Sequence, residues 1–225
     1  MSTAQPLKMW VLKACPLWVG LWPIIAIHIS YLIAASAGHV DWCNPYWDSC
    51  TSISATGRQG VEFYWFKLTM IPAALLMSFY WHRVAMWQQF LGVANQWISR
   101  FGYIACAFLI IYVIALGLSG DQFRIQRRIG VILYFTLTYL AQLLLVTGLW
   151  RCGFRSRSVR IMFAFCAACL GIGLMSLGID MLTDWHDDIE DAIEWILALL
   201  MHLYIIACYW AWRATGFNGQ ANKTL

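Results

Sequence analysis

Six apolar runs alternate with short polar connectors along the chain, at 17–37, 63–82, 101–119, 129–150, 161–181 and 195–212. A spanning helix needs about 20 mainly apolar residues, and these runs come close to or exceed that length. A membrane barrel strand would show only about ten residues of alternating polarity, so the pattern excludes a barrel. It predicts an all-α fold, an integral membrane bundle of six transmembrane helices, forming a single domain over residues 1–225. One stretch is neither span nor loop. In 86–98, Met86, Trp87, Phe90, Leu91, Ala94, Trp97 and Ile98 recur at helical spacing, opposite Gln88, Gln89, Asn95 and Gln96. This predicts an uncharged interfacial helix, or a continuation of the second span. Residues 217–225 read as a polar tail.

Composition supports this reading. The chain is 61% hydrophobic and 12% charged, where a soluble domain carries about 25% charged residues. A water-soluble globule is excluded, and no pattern for nucleic acid is present. Lys8, Lys13, Arg83, Arg100, Arg151, Arg155, Arg157, Arg160, Arg213 and Lys223 fall on the side of the N-terminus. Only Arg58, Lys67, Arg124, Arg127 and Arg128 fall on the other. The positive-inside rule then predicts cytoplasmic termini, with loops 38–62, 120–128 and 182–194 outside. All 11 acidic residues lie on that outer side. Outer loops that are simply acidic explain this, and so does a polar chamber at the outer interface.

Cys43 and Cys50 share the first outer loop, where a disulfide can form. The other six cysteines lie in spans or on the inner side and read as packing residues, Cys166 and Cys169 included. Stretch 38–67 holds the first candidate constellation. His39 and Asp41 close the first span. Arg58 and Glu62 are four apart and can pair on a helix, and Lys67 lies a turn deeper. Ser52, Ser54, Thr56 and Gly57 offer hydroxyls and backbone N–H groups of the kind that hold phosphate at a helix start. Helix capping with surface ion pairs, or a lipid head-group site, both fit.

The acidic stretch 180–194 fits a solvated loop or a divalent-cation site, without an EF-hand pattern. Within it, Asp180 and Asp184 share a helix face, and Asp180 and Glu194 sit at span edges, where carboxylates are costly unless they face a polar cavity. His28 and His202 sit at similar depths, the arrangement of axial b-type haem ligands, although no groove for a porphyrin is marked. Buried, hydrogen-bonded histidines fit as well. No cofactor or metal is assigned.

Several residues give the chain a family resemblance: Gly38-His39-Val40, then Ser52-Ile53-Ser54-Ala55-Thr56-Gly57, then Glu62-Phe63, with Asp121 and Glu194-Trp195 further on. The chain resembles the Frag/DRAM/Sfk family, six-span proteins that include the GPI-anchor lipid-remodelling protein and the damage-regulated autophagy modulators. Where the family often has a histidine at the start of the fourth span, this chain has Gln126-Arg127-Arg128-Ile129-Gly130. Compact loops and the lack of an outer glycosylation sequon suit a bacterial member in the inner membrane. The resemblance implies lipid binding or remodelling at the outer leaflet, with membrane lipids as partners. His39, Ser54, Thr56, Gly57, Glu62, Asp121 and Glu194 become the candidate site. In an acyl-transfer scheme His39 or Glu62 is the base, Arg58, Lys67 and Arg128 hold phosphate, and N–H groups near Gly57 stabilise an oxyanion. No hydrolase signature such as GxSxG or HExxH accompanies them. The alternative is a non-catalytic subunit or scaffold that packs against a membrane-protein partner or a second copy of itself.

Overall fold

The computed structural model describes residues 12–182 and 186–217, without the side chains of 186–188. Among these residues the chain is entirely helical. The helices are α1 (Cys15–Ser36), α2 (Gly60–Phe90), α3 (Gln96–Ala115), α4 (Asp121–Arg151), α5 (Arg157–Leu182) and α6 (His186–Ala214), with a short 3₁₀ turn at Ala55–Gly57. Lys8, Lys223, Asp184 and the tail beyond Phe217 lie outside the described residues.

Five helices are long and apolar enough to cross a membrane: Cys15–Ser36, Gln96–Ala115, Asp121–Arg151, Arg157–Leu182 and Ile189–Ala214. The second expected span is not among them. It lies within α2, whose Lys67, His82 and Arg83 dilute the apolar run. Its position in the bundle is nevertheless central, since α2 packs against both α1 and α3. Segment 86–98 is not a separate interfacial helix. Its first turn continues α2 to Phe90, the chain reverses through Gly92 (φ +70°), and α3 begins at Gln96. The Asn95 side chain caps α3 by accepting from the Trp97 N–H (3.0 Å). Trp87 and Gln88, assigned to opposite faces from sequence, are both buried.

Packing runs round the bundle from α5 to α6, α1, α2, α3 and α4. The core is aromatic: Tyr80, Trp81, Trp87, Trp195, Tyr204 and Trp212 are fully buried. Gly102 makes one such contact possible, because a Cβ there would lie 2.2 Å from the Trp81 ring. Within the apolar interior, Tyr204 donates to the Gln142 carbonyl (2.7 Å) and Gln142 donates to the Met201 carbonyl (2.9 Å). These bonds tie α4 to α6 where water cannot substitute. The ring is weakest between α4 and its neighbours α5 and α6, which meet only lightly. Beyond Cys169 no residue of α5 is fully buried, and Leu170, Leu174, Met175, Leu177, Met181 and Leu182 are exposed.

Candidate functional site

The connection from α1 to α2 is pinned over one end of the bundle. Cys43 and Cys50 form a disulfide, with Cα atoms 6.6 Å apart. Buried Tyr31 donates to the Cys43 carbonyl (2.7 Å) and accepts from the Cys43 N–H (2.9 Å). Ser30 donates to the Thr56 carbonyl (2.6 Å). From α6, the Trp195 indole donates to the Thr51 carbonyl (2.9 Å), and the Ala192 N–H donates to Ser49 Oγ (3.1 Å). With these bonds made, the connector is a fixed wall between α1 and α6.

His39 and Glu62 are brought together on that wall. His39 donates its Nδ1 hydrogen to Oε1 of Glu62. The Glu62 side chain is 1% exposed and that of His39 is 32% exposed. The second carboxylate oxygen, Oε2, is buried without a hydrogen-bond partner. Gly60 makes room for the pair: at φ +53°, a Cβ would lie 2.7 Å from His39 Cε1 and 2.8 Å from Glu62 Oε2. The expected Arg58–Glu62 pair does not form. Helix α2 starts at Gly60, so Arg58 precedes its first turn and donates instead to Ser54 Oγ (2.6 Å).

Beside this pair lies a cavity of about 720 Å³ that opens between α4 and α6. Arg58, Arg124, Arg127 and Arg128 line it together with Ser52, Ser54 and Tyr112. Arg127 is fixed by donating to the carbonyls of Ala115 (3.1 Å) and Leu118 (2.8 Å). The Tyr112 hydroxyl is buried beside Ser54. On the α6 side stand Glu190, Asp191 and Glu194, and the Ile53 N–H donates to the Glu194 carboxylate. The lower wall is apolar, with Val131, Ile132, Phe135 and Leu197. It runs into an apolar groove of about 270 Å³ between α4, α5 and α6, which shares Phe135, Thr136 and Leu197. A shallower opening that includes His39 shares Ser52, Arg58 and Asp191 with the cavity.

The candidate residues therefore divide. Ser54, Arg58, Arg128 and Glu194 line the cavity, and His39 with Glu62 flank it. Thr56 is fully buried and hydrogen-bonds to the Ile53 carbonyl (2.8 Å). Gly57 packs against Phe66 and Leu116, where a Cβ would meet carbons at 2.7–2.9 Å. Both shape the turn rather than offer groups to a ligand. Lys67 lies elsewhere, donating to the Ile114 carbonyl (3.1 Å) above the Phe63 ring. Asp121 is exposed and pairs with Arg124 (3.0 Å). Arg124, Arg127 and Tyr112 were not singled out from sequence.

The two histidines inside the helices differ in their hydrogen bonding. Nδ1 of His28 donates to the Ile24 carbonyl (2.6 Å), and Tyr46 donates its hydroxyl hydrogen to Nε2 (3.0 Å). Burial holds the Tyr46 hydroxyl above the ordinary phenol range, so it stays a donor to His28. His202 donates to the Ala198 carbonyl (2.7 Å). Among the described residues, no group of three or more His, Cys, Asp or Glu side chains could hold a metal ion. The part of the acidic stretch around Asp184, and the side chains of His186, Asp187 and Asp188, lie outside the described residues.

Compared with protein families, curated proteins and solved structures, the chain has no match.

Proposed function

We propose that this chain is a six-span membrane protein, termini on the cytoplasmic side, that binds lipid at the outer-leaflet interface. The observation that carries the reading is the composite cavity. Four arginines gather at its membrane-surface end, and an apolar groove leads from it towards the middle of the bundle. That sequence of surfaces matches a phosphate-bearing head group followed by an acyl chain. Guanidinium forks suit phosphate oxygens, and the weak contact between α4 and α5 leaves a lateral way in from the bilayer.

Lipid remodelling is the chemical extension of this reading. Glu62 fixes the His39 ring through Nδ1, leaving Nε2 as the basic atom for a proton of an attacking hydroxyl. The family resemblance to Frag/DRAM/Sfk proteins and a bacterial inner-membrane location belong to the same proposal. A second reading, a subunit that packs against a membrane-protein partner or a second copy, is favoured by the unpacked apolar half of α5.

The test is native mass spectrometry with lipid analysis of purified protein. Wild type, Arg58→Gln/Arg128→Gln and Glu62→Ala are compared. Retention of one phospholipid class by wild type, reduced at least tenfold in the double arginine variant, supports the lipid site. Selective loss of turnover in Glu62→Ala, with lipid still bound, supports remodelling. No retained lipid in wild type, together with a stoichiometric protein partner, moves the assignment to the subunit reading.

A further inference from the structure

The opposite end of the bundle carries a second site of different make-up. A half-open pocket of about 320 Å³ lies between the start of α1 and the end of α6. Lys13 and Arg213 line it, with Tyr209, Trp212 and Phe217. Trp212 is 1% exposed, and among the described residues its indole N–H has no acceptor. Arg213 is held over the Tyr209 ring and donates to its hydroxyl (3.3 Å), which orients the guanidinium.

Arg83, on α2 and outside the pocket lining, is a second basic residue at this end. It is 7% exposed, lies over the Phe79 ring, and one nitrogen meets Met86 Sδ (3.3 Å); among the described residues Nε and Nη2 have no hydrogen-bond partner. A buried cation needs a compensating anion. The sequence supplies no carboxylate side chain at this end, because all 11 acidic residues belong to the connectors and helix ends on the other side.

We propose that this pocket binds a phosphate group with net negative charge, from an anionic lipid head group at that membrane face or from free phosphate. Lys13 supplies a point charge, Arg213 a fork of donors and Trp212 a buried N–H, a combination of donors with no acceptor among them. Basic pockets between helix ends are a recurring way of holding anionic head groups. The site is separate from the outer cavity, and its presence does not depend on the function proposed for that cavity.

The experiment titrates purified protein in neutral detergent with phosphatidylglycerol or phosphatidylcholine of equal chain length, read by native mass spectrometry. Wild type is expected to bind one phosphatidylglycerol more tightly than phosphatidylcholine. Lys13→Gln/Arg213→Gln should weaken that binding on the order of thirtyfold, while Arg157→Gln, an exposed basic residue at the same end of the bundle that lines neither pocket, leaves it unchanged. Both pocket variants lie at accessible positions, and thermal unfolding of each confirms that it is folded. Inorganic phosphate as competitor separates the sources: displacement of the lipid shows that the phosphate group itself is recognised, and lack of displacement shows that the lipid is required. Equal binding of the two lipids to wild type overturns the proposal without recourse to any variant. So does a folded double variant that binds phosphatidylglycerol as wild type does.

Discussion

Replacing His39 with alanine leaves the Glu62 carboxylate, 1% exposed, with neither oxygen hydrogen-bonded by a side chain. Leaving a buried carboxylate without its hydrogen-bond donor costs about 3 kcal/mol or more. His39 is one-third open to solvent, and water entering the vacated space relieves part of the loss, so about 2–3 kcal/mol is expected here. Glu62→Gln removes the charge but keeps the shape and an acceptor, and should cost about 1 kcal/mol. The informative variant is the double, His39→Ala/Glu62→Gln. It should be more stable than His39→Ala alone, because the stranded charge is gone. Thermal unfolding in detergent, followed by tryptophan fluorescence, gives the cycle, with shifts of about 2–4 °C per kcal/mol for a chain of this size. A coupling energy of at least 1.5 kcal/mol is expected. Strict additivity, within about 0.5 kcal/mol, would refute the buried pair as a unit, and with it the role of Glu62 in orienting His39.

Other perturbations follow from single contacts. Gly102→Ala should lower the melting temperature by roughly 5 °C or more, since the new Cβ meets the Trp81 ring. Tyr31→Phe removes both bonds to the Cys43 backbone and should cost about 1–3 kcal/mol, with faster proteolysis between α1 and α2 as the direct readout. Cys43→Ser/Cys50→Ser opens a loop of seven-residue separation and should destabilise by about 2.5 kcal/mol on loop entropy; an unchanged unfolding midpoint under reducing and oxidising conditions would contradict this. Thr56→Val should destabilise the connector without changing lipid retention, because Thr56 is buried away from the cavity.

The helical runs were readable from sequence because lipid imposes one long apolar segment per crossing. Where polar side chains interrupt α2, the same pattern underrated a central helix. The meeting of His39 with Glu62 was anticipated only as shared membership of a stretch. The actual bond depends on Gly60 turning through positive φ, and that also moved Arg58 off Glu62 and on to Ser54. The arginines of the cavity were within reach of periodicity. Arg124, Arg127 and Arg128 precede Val131, Ile132 and Phe135 at steps of three and four, one continuous stripe of α4 that changes from basic to apolar. Tyr112 was not: a tyrosine inside an apolar run looks like core until its neighbours are known. Thr56 and Gly57 show the converse, because a motif that stands out in sequence can serve the turn that holds a wall in place.

The far half of α5 has a mechanical consequence. The fully buried residues of α5 lie between Ser158 and Cys169, so the remainder is the less deeply packed arm of the helix. From Cys169 to Leu182 the arm is about 20 Å long, and a tilt of about 10° carries its tip roughly 3 Å sideways. Ser176, partway along that arm, belongs to the cavity wall. A tilt of α5 would therefore shift the cavity wall at Ser176, while the wall opposite is tied by the Cys43–Cys50 disulfide.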